Sequence, residues 1–142
     1  MTEAVKCTAD IAIQQAADIA TQQAAETLQF VCHDDALRAG WWTGRDGSDP
    51  RDNPLCFSNK LCLIHSEVSE AMEGDRKSLP DDKLPHRPMR EVELADAVIR
   101  IFDLAGAYGM DLGGAIVEKL AYNRSRADHK PEARAATGGK AY

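Results

Sequence analysis

Aromatic residues make up only 6% of this 142-residue chain. That scarcity argues against a β-sandwich or barrel, whose strands draw on aromatic and β-branched side chains. No C-x-x-C pair occurs among Cys7, Cys32, Cys56 and Cys62, which removes zinc ribbons and dithiol redox motifs. The chain has no Lys/Arg cluster and carries a formal net charge of −6. Binding a nucleic-acid polymer by counterion release needs many clustered cations, so that partner is not expected. A small anion remains an acceptable ligand where a metal supplies the positive charge. No apolar run approaches the ~18 residues of a membrane span. The opening MTEAVKCTAD lacks a basic stretch followed by an apolar core, so no signal peptide is expected. The corresponding expectation is a cytoplasmic protein with free, buried thiols.

What is present is Ala, Leu and charge. Hydrophobic residues are 44% and charged residues 28% of the chain, an ordinary globular balance. The length suits one domain, 1–142, with a helical core over 28–126 and a tail over 127–142. Residues 8–39 contain no Gly or Pro and predict a helix, with a break near its middle. GWWTGRDGSDPRDNP (40–54) reads as a loop. Asn53 before Pro54 predicts the cap of a second helix running to Arg76, with proline at its first position. The three prolines of 77–88 predict an irregular connection, followed by a third helix over Met89–Tyr108 that Gly109 ends. Asp111 predicts the N-cap of a fourth helix reaching Ser125, and Pro131 with Gly138-Gly139 an extended tail. The expected class is all-α, and four helices packed as one bundle is the economical architecture.

Two acidic pairs stand out. Glu67 and Glu70 lie on the second helix, Glu93 and Asp96 on the third. The i, i+3 spacing places each pair on one helix face. Such pairs are common on solvated faces, so spacing alone decides little. The third helix adds the argument. At ~100° per residue, Val92, Leu94, Ala95, Val98, Ile99, Ile101, Phe102 and Ala105 cover more than half of its circumference. A helix so apolar is expected to be mostly buried. Its remaining stripe holds Glu93, Asp96, Arg100 and Asp103. Buried carboxylates cost several kcal/mol each unless cations offset them; Arg100 offsets one, and a divalent metal is the natural remainder. Oxygen ligands without Cys or a neighbouring His suit Mg²⁺, with Mn²⁺ as a substitute. A di-iron bundle would need E-x-x-H pairs, which neither helix has.

Ser66-Glu67-Val68-Ser69-Glu70, then Glu93-Leu94-Ala95-Asp96, and finally EKLAYNRSRADHKPEARAATGGKAY together resemble the MazG-like all-α nucleoside triphosphate pyrophosphatases, in their compact phage-type form. The family pattern is E-E-x-x-E followed by E-x-x-D, and the resemblance covers residues 30–142. It implies that Glu67, Glu70, Glu93 and Asp96 ligate Mg²⁺, and that Lys119, Asn123 and Arg126 contact phosphate. It further implies hydrolysis of a (d)NTP to (d)NMP and pyrophosphate, a role in controlling the nucleotide pool, and a homodimer or homotetramer. A phage-encoded protein would act in the host cytoplasm. Ser66 departs from the pattern, because the family's first Glu is missing there.

Within that chemistry Glu67 or Glu70 is the group expected to orient or deprotonate the attacking water. Lys119, Asn123 and Arg126 recur at i, i+4 and i+7, on one face as phosphate-gripping groups should be; a solvated basic helix end is the bland alternative. Trp41 and Trp42 are either base-stacking platforms or plugs at a bundle end or a subunit interface. Asp34 and Asp35 could accept from the N1–H and amino group of guanine, with solvated helix-end charges as the commoner alternative. The resemblance implies guanine nucleotides for some compact phage-type members and pyrimidines or dATP for others, and dGTP or GTP is the favoured substrate. His33-Asp34 lacks the upstream His that an HD-type phosphohydrolase needs. His65 reads as a packed histidine, and His86 and His129 show no role. The competing reading of the whole chain is a non-catalytic helical interaction or oligomerisation module whose acidic stripe is only solvated surface.

Overall fold

The computed structural model describes residues 3–137. Among them the architecture is all-α: α1 (Glu3–Arg38), α2 (Cys56–Lys77), α3 (Met89–Ala107), α4 (Leu112–Ser125) and a short α5 (Pro131–Ala135). Single 3₁₀ turns lie at Pro50–Asp52 and Ala127–His129. The chain divides into two compact units. Thr27–Met110 forms one; the stretch through Glu26 together with the chain from Asp111 forms the other. No described helix is long and apolar enough to cross a membrane.

Several expectations need correction. α1 is continuous, because nothing in its Ala- and Gln-rich middle removes a backbone donor or forces a positive φ. α2 starts at Cys56 rather than Pro54. Asn53 instead accepts from the Leu55 amide at 2.9 Å, an Asx turn that delays the helix. The tail described through Thr137 is partly helical, since Pro131 occupies a first-turn position where a missing N–H costs nothing; Gly138-Gly139 lie outside the described residues. Asp111 does cap α4, accepting from the Gly114 amide at 2.8 Å. Cys56 is buried and Cys32 half-buried, but Cys62 is exposed. His65 is exposed as well.

Within the unit of Thr27–Met110, α2 and α3 form a hairpin that the connection 78–88 closes. Ser78 takes the left-handed conformation (φ 52°) that ends α2, and the Leu79 amide returns to the Gly74 carbonyl at 3.0 Å. The Met89 amide donates to Leu79 and the Asp81 amide to Arg87, each at 3.0 Å, so the connection is pinned at both ends. The helices approach closely at Gly74, where an added Cβ would stand 2.9 Å from the Met89 side chain.

The core of this unit gathers Trp42, Cys56, Leu104 and Ala107, with Ala36, Phe57 and Ile64 against them. Trp42 reaches it because Gly40 ends α1 at φ +79°, and the Trp41 amide closes back on the Ala36 carbonyl at 3.0 Å. α3 is less buried than its apolar coverage predicts. Phe102, Leu104, Ala105 and Ala107 are buried, whereas Leu94, Val98 and Ile101 are 53%, 45% and 39% exposed. Within this unit α3 packs against α2 and, at Asp103 and Gly106, against His33 of α1, while the stripe of Leu94, Val98 and Ile101 is left open.

Candidate metal centre and its adjoining cavity

The α2–α3 hairpin brings three of the four sequence-selected carboxylates together. Ligand oxygens of Glu67, Glu93 and Asp96 all lie within 4.8 Å of one another, and both glutamates are buried. In an octahedral Mg²⁺ shell at 2.0–2.1 Å, ligand oxygens stand about 2.9–4.2 Å apart. A small side-chain rotation therefore accommodates the ion, and the hard-oxygen donor set fits it. Glu70 is exposed and stands outside the trio, at its rim, near enough for its charge to act on Glu93.

The electrostatics describe a site short of positive charge. Burial first, then the hydrogen bond to Glu67 and the charges of Glu70, Glu67 and Asp96, push the Glu93 carboxyl up to about 7. Burial also raises Asp96, as do Glu67 and Asp81, while Arg100 lowers it. Arg100 Nε lies 2.8 Å from Glu67 Oε1, so the one arginine on this face is spent on one of the three carboxylates. Burial and like charge hold the others toward the neutral form.

Two turns further along the same hairpin a second cluster forms around Asp103. Its Oδ1 accepts from Trp42 Nε1 at 2.7 Å and pairs with His33 Nδ1 at 2.9 Å. Lys60 Nζ stands 4.0 Å from Oδ2 and 4.3 Å from the centroid of the Trp42 ring. Gly106 makes the approach of His33 possible, since a Cβ there would meet the His33 Cβ at 2.6 Å. Asp103 is thus a buried acceptor, and Trp42 is a core residue at 6% exposure. Of the two tryptophans only Trp41, at 69% exposure, presents an open ring.

A cavity of about 630 Å³ lies beside both clusters, lined by Trp41, Asp35, Lys60, Asp96, Arg100 and Asp103 together with Leu28, Val31, Leu63 and Ile99. Its volume falls in the range of small-molecule sites. Asp35 faces it, whereas Asp34 is paired with Arg38 at 2.7 Å. Of the remaining selected residues, Lys119, Asn123 and Arg126 belong to the other unit. There Lys119 Nζ lies 4.8 Å and the Arg126 guanidinium 5.8 Å from the Tyr122 ring centroid. Arg126 is bonded to Asp128 at 2.6 Å, and Asn123 Oδ1 is buried with no hydrogen-bond partner among the described residues.

Sequence reasoning missed Lys60 and Asp81. Lys60 had a usable signal: it precedes Glu67 by seven residues, as Asp96 precedes Asp103, so an antiparallel hairpin must pair both ends. Asp81 had none. It is 3% exposed and accepts from the Lys83 and Leu84 amides at 3.0 and 2.5 Å, in a connection with no periodicity to read. Comparison with family models, curated proteins and solved structures finds no match.

Proposed function

We propose that the chain is a Mg²⁺-dependent nucleoside triphosphate pyrophosphatase of the MazG-like kind, converting a (d)NTP to (d)NMP and pyrophosphate. The observation that carries this reading is the convergence of Glu67, Glu93 and Asp96 within 4.8 Å beside a nucleoside-sized cavity. Three carboxylates with one arginine among them leave negative charge that a cation would offset in place of protons, and triphosphate is the common ligand that arrives with one.

Glu67, Glu93 and Asp96 would hold Mg²⁺, and Mn²⁺ in its place. When bound, the ion neutralises triphosphate oxygens and lowers the pKa of water. Glu70, exposed at the rim, accepts the proton of the attacking water. Attack falls on the α-phosphorus; the bond from that phosphorus to the α–β bridging oxygen breaks, and pyrophosphate leaves with the electron pair. The resemblance alone assigns phosphate contact to Lys119, Asn123 and Arg126, which belong to the other unit. Trp41 offers the base a stacking face.

A homo-oligomer is part of this reading. A second copy laid on the exposed apolar stripes of α2 and α3 would bury them, in line with the homodimer or homotetramer that the resemblance implies. The principal competitor is a non-catalytic helical module with a solvated acidic face. A thermal melt with and without Mg²⁺ separates the two. At a hundredfold excess over Kd, linkage stabilises a metal-binding fold by about 2.7 kcal/mol, roughly a 10 °C rise for a chain of this size. An unchanged melt in both Mg²⁺ and Mn²⁺ would favour the module.

A further inference from the structure

Lys60 is a lysine whose surroundings do not complete it. Its side chain is 21% exposed, yet no acceptor among the described residues stands within hydrogen-bonding distance of Nζ. Asp103 Oδ2 is 4.0 Å away, and the other oxygen of that carboxylate is occupied by Trp42 and His33. The Trp42 ring under Nζ stabilises the charge through its π-face but accepts no conventional hydrogen bond. An ammonium has three protons to donate; solvent in the cavity takes them in the unbound chain, and a ligand acceptor can replace that water. Lys60 lines the 630 Å³ cavity, so a ligand acceptor there would complete it.

The position along the hairpin indicates which part of a nucleotide that is. Asp96 and Asp103 are seven residues apart on α3, which is about 10 Å at 1.5 Å per residue. This matches the reach from an α-phosphate to the far edge of a purine base. With phosphates at the carboxylate trio, the cavity wall near Lys60 meets the base rather than the phosphate chain. We propose that Lys60 is the specificity-determining residue of this site, donating to the O6/N7 edge of a 6-oxopurine, with Asp35, which also lines the cavity, accepting from N1–H and the 2-amino group of guanine. The inference rests on the pyrophosphatase reading for the placement of the phosphates.

Lysine is a regular partner of guanine O6 and N7 and discriminates against adenine, whose 6-amino group is a donor. The 2-amino group is a secondary contact, so hypoxanthine should be accepted and adenine refused. Such a contact is worth roughly ten- to a hundredfold in selectivity.

The test compares dGTP, dITP and dATP on the wild-type chain, Lys60→Met and Lys60→Arg, with helicity checked by circular dichroism. Wild type should favour dGTP and dITP over dATP by roughly ten- to a hundredfold in kcat/KM. Lys60→Met should abolish that preference by losing the oxopurines while sparing dATP, and Lys60→Arg should restore it. A wild-type preference for dATP, or equal losses on all three substrates in Lys60→Met, would overturn the assignment. Titration of dGMP against dAMP in the presence of Mg²⁺, followed by the fluorescence of Trp41 and Trp42 together, reads the same preference without turnover. Selective dGMP binding without hydrolysis would sink the enzyme reading and keep Lys60; hydrolysis with no base preference would do the reverse.

Discussion

Asp96→Asn and Glu93→Gln should each lower turnover more than about a hundredfold, because even outer-shell partners of a metal site cost 10–100-fold when lost. Both substitutions keep side-chain volume and remove one of the three converging carboxylates. They should weaken Mg²⁺ binding together with turnover. Glu70→Gln should differ. Its carboxylate is exposed and outside the trio, so turnover should fall comparably while Mg²⁺ binding, read by calorimetry, stays near wild type. Near-normal activity of any of the three variants at saturating Mg²⁺ would contradict its assignment.

The same substitutions carry a stability signature. Glu93 titrates at about 7 in the folded chain against an ordinary value of 4.5. Between these values the folded state binds more protons than the unfolded one, so the stability of the metal-free protein falls as pH rises from 4.5 to about 7 and levels off above. Raised Asp96 acts in the same direction. Glu93→Gln should flatten this decline and melt higher than wild type at pH 8 without metal. A wild-type melt that rises across that window would contradict the crowded-carboxylate picture.

A second large effect is expected in particle mass. On α3, Leu94, Val98 and Ile101 repeat at i, i+4 and i+7, and on α2, Leu61, Val68 and Met72 form a matching stripe. All six are between 39% and 63% exposed, a contiguity that single surface apolar residues do not show. Light scattering at micromolar concentration should therefore give at least twice the 15.5 kDa of one chain. Val98→Asp, which places a charge in the middle of the α3 stripe, should return the particle to monomer. A wild-type monomer would remove oligomerisation from the account.

The helices and the carboxylate pairs were readable because each rests on local, repeating chemistry. Asp111 caps through its own side chain, and the i, i+3 carboxylates need only helix geometry to share a face. The antiparallel pairing of Glu67 with the Glu93–Asp96 turn also follows once the connection 78–88 is read as a hairpin. What escaped depends on distant contacts. Trp42 became core rather than platform because Asp103, 61 positions on, accepts its indole N–H. The half-open state of α3 depends on what covers it, and periodicity cannot distinguish a stripe that meets its own chain from one left for another copy.

Product analysis with a dNTP and Mg²⁺ tests the central claim most directly. Incubation with dGTP should yield dGMP and pyrophosphate in equal amounts, with neither orthophosphate nor dGDP accumulating. Formation of dGDP and orthophosphate would contradict attack at the α-phosphorus, and no metal-dependent turnover of any of the eight common NTPs and dNTPs would contradict the enzyme itself.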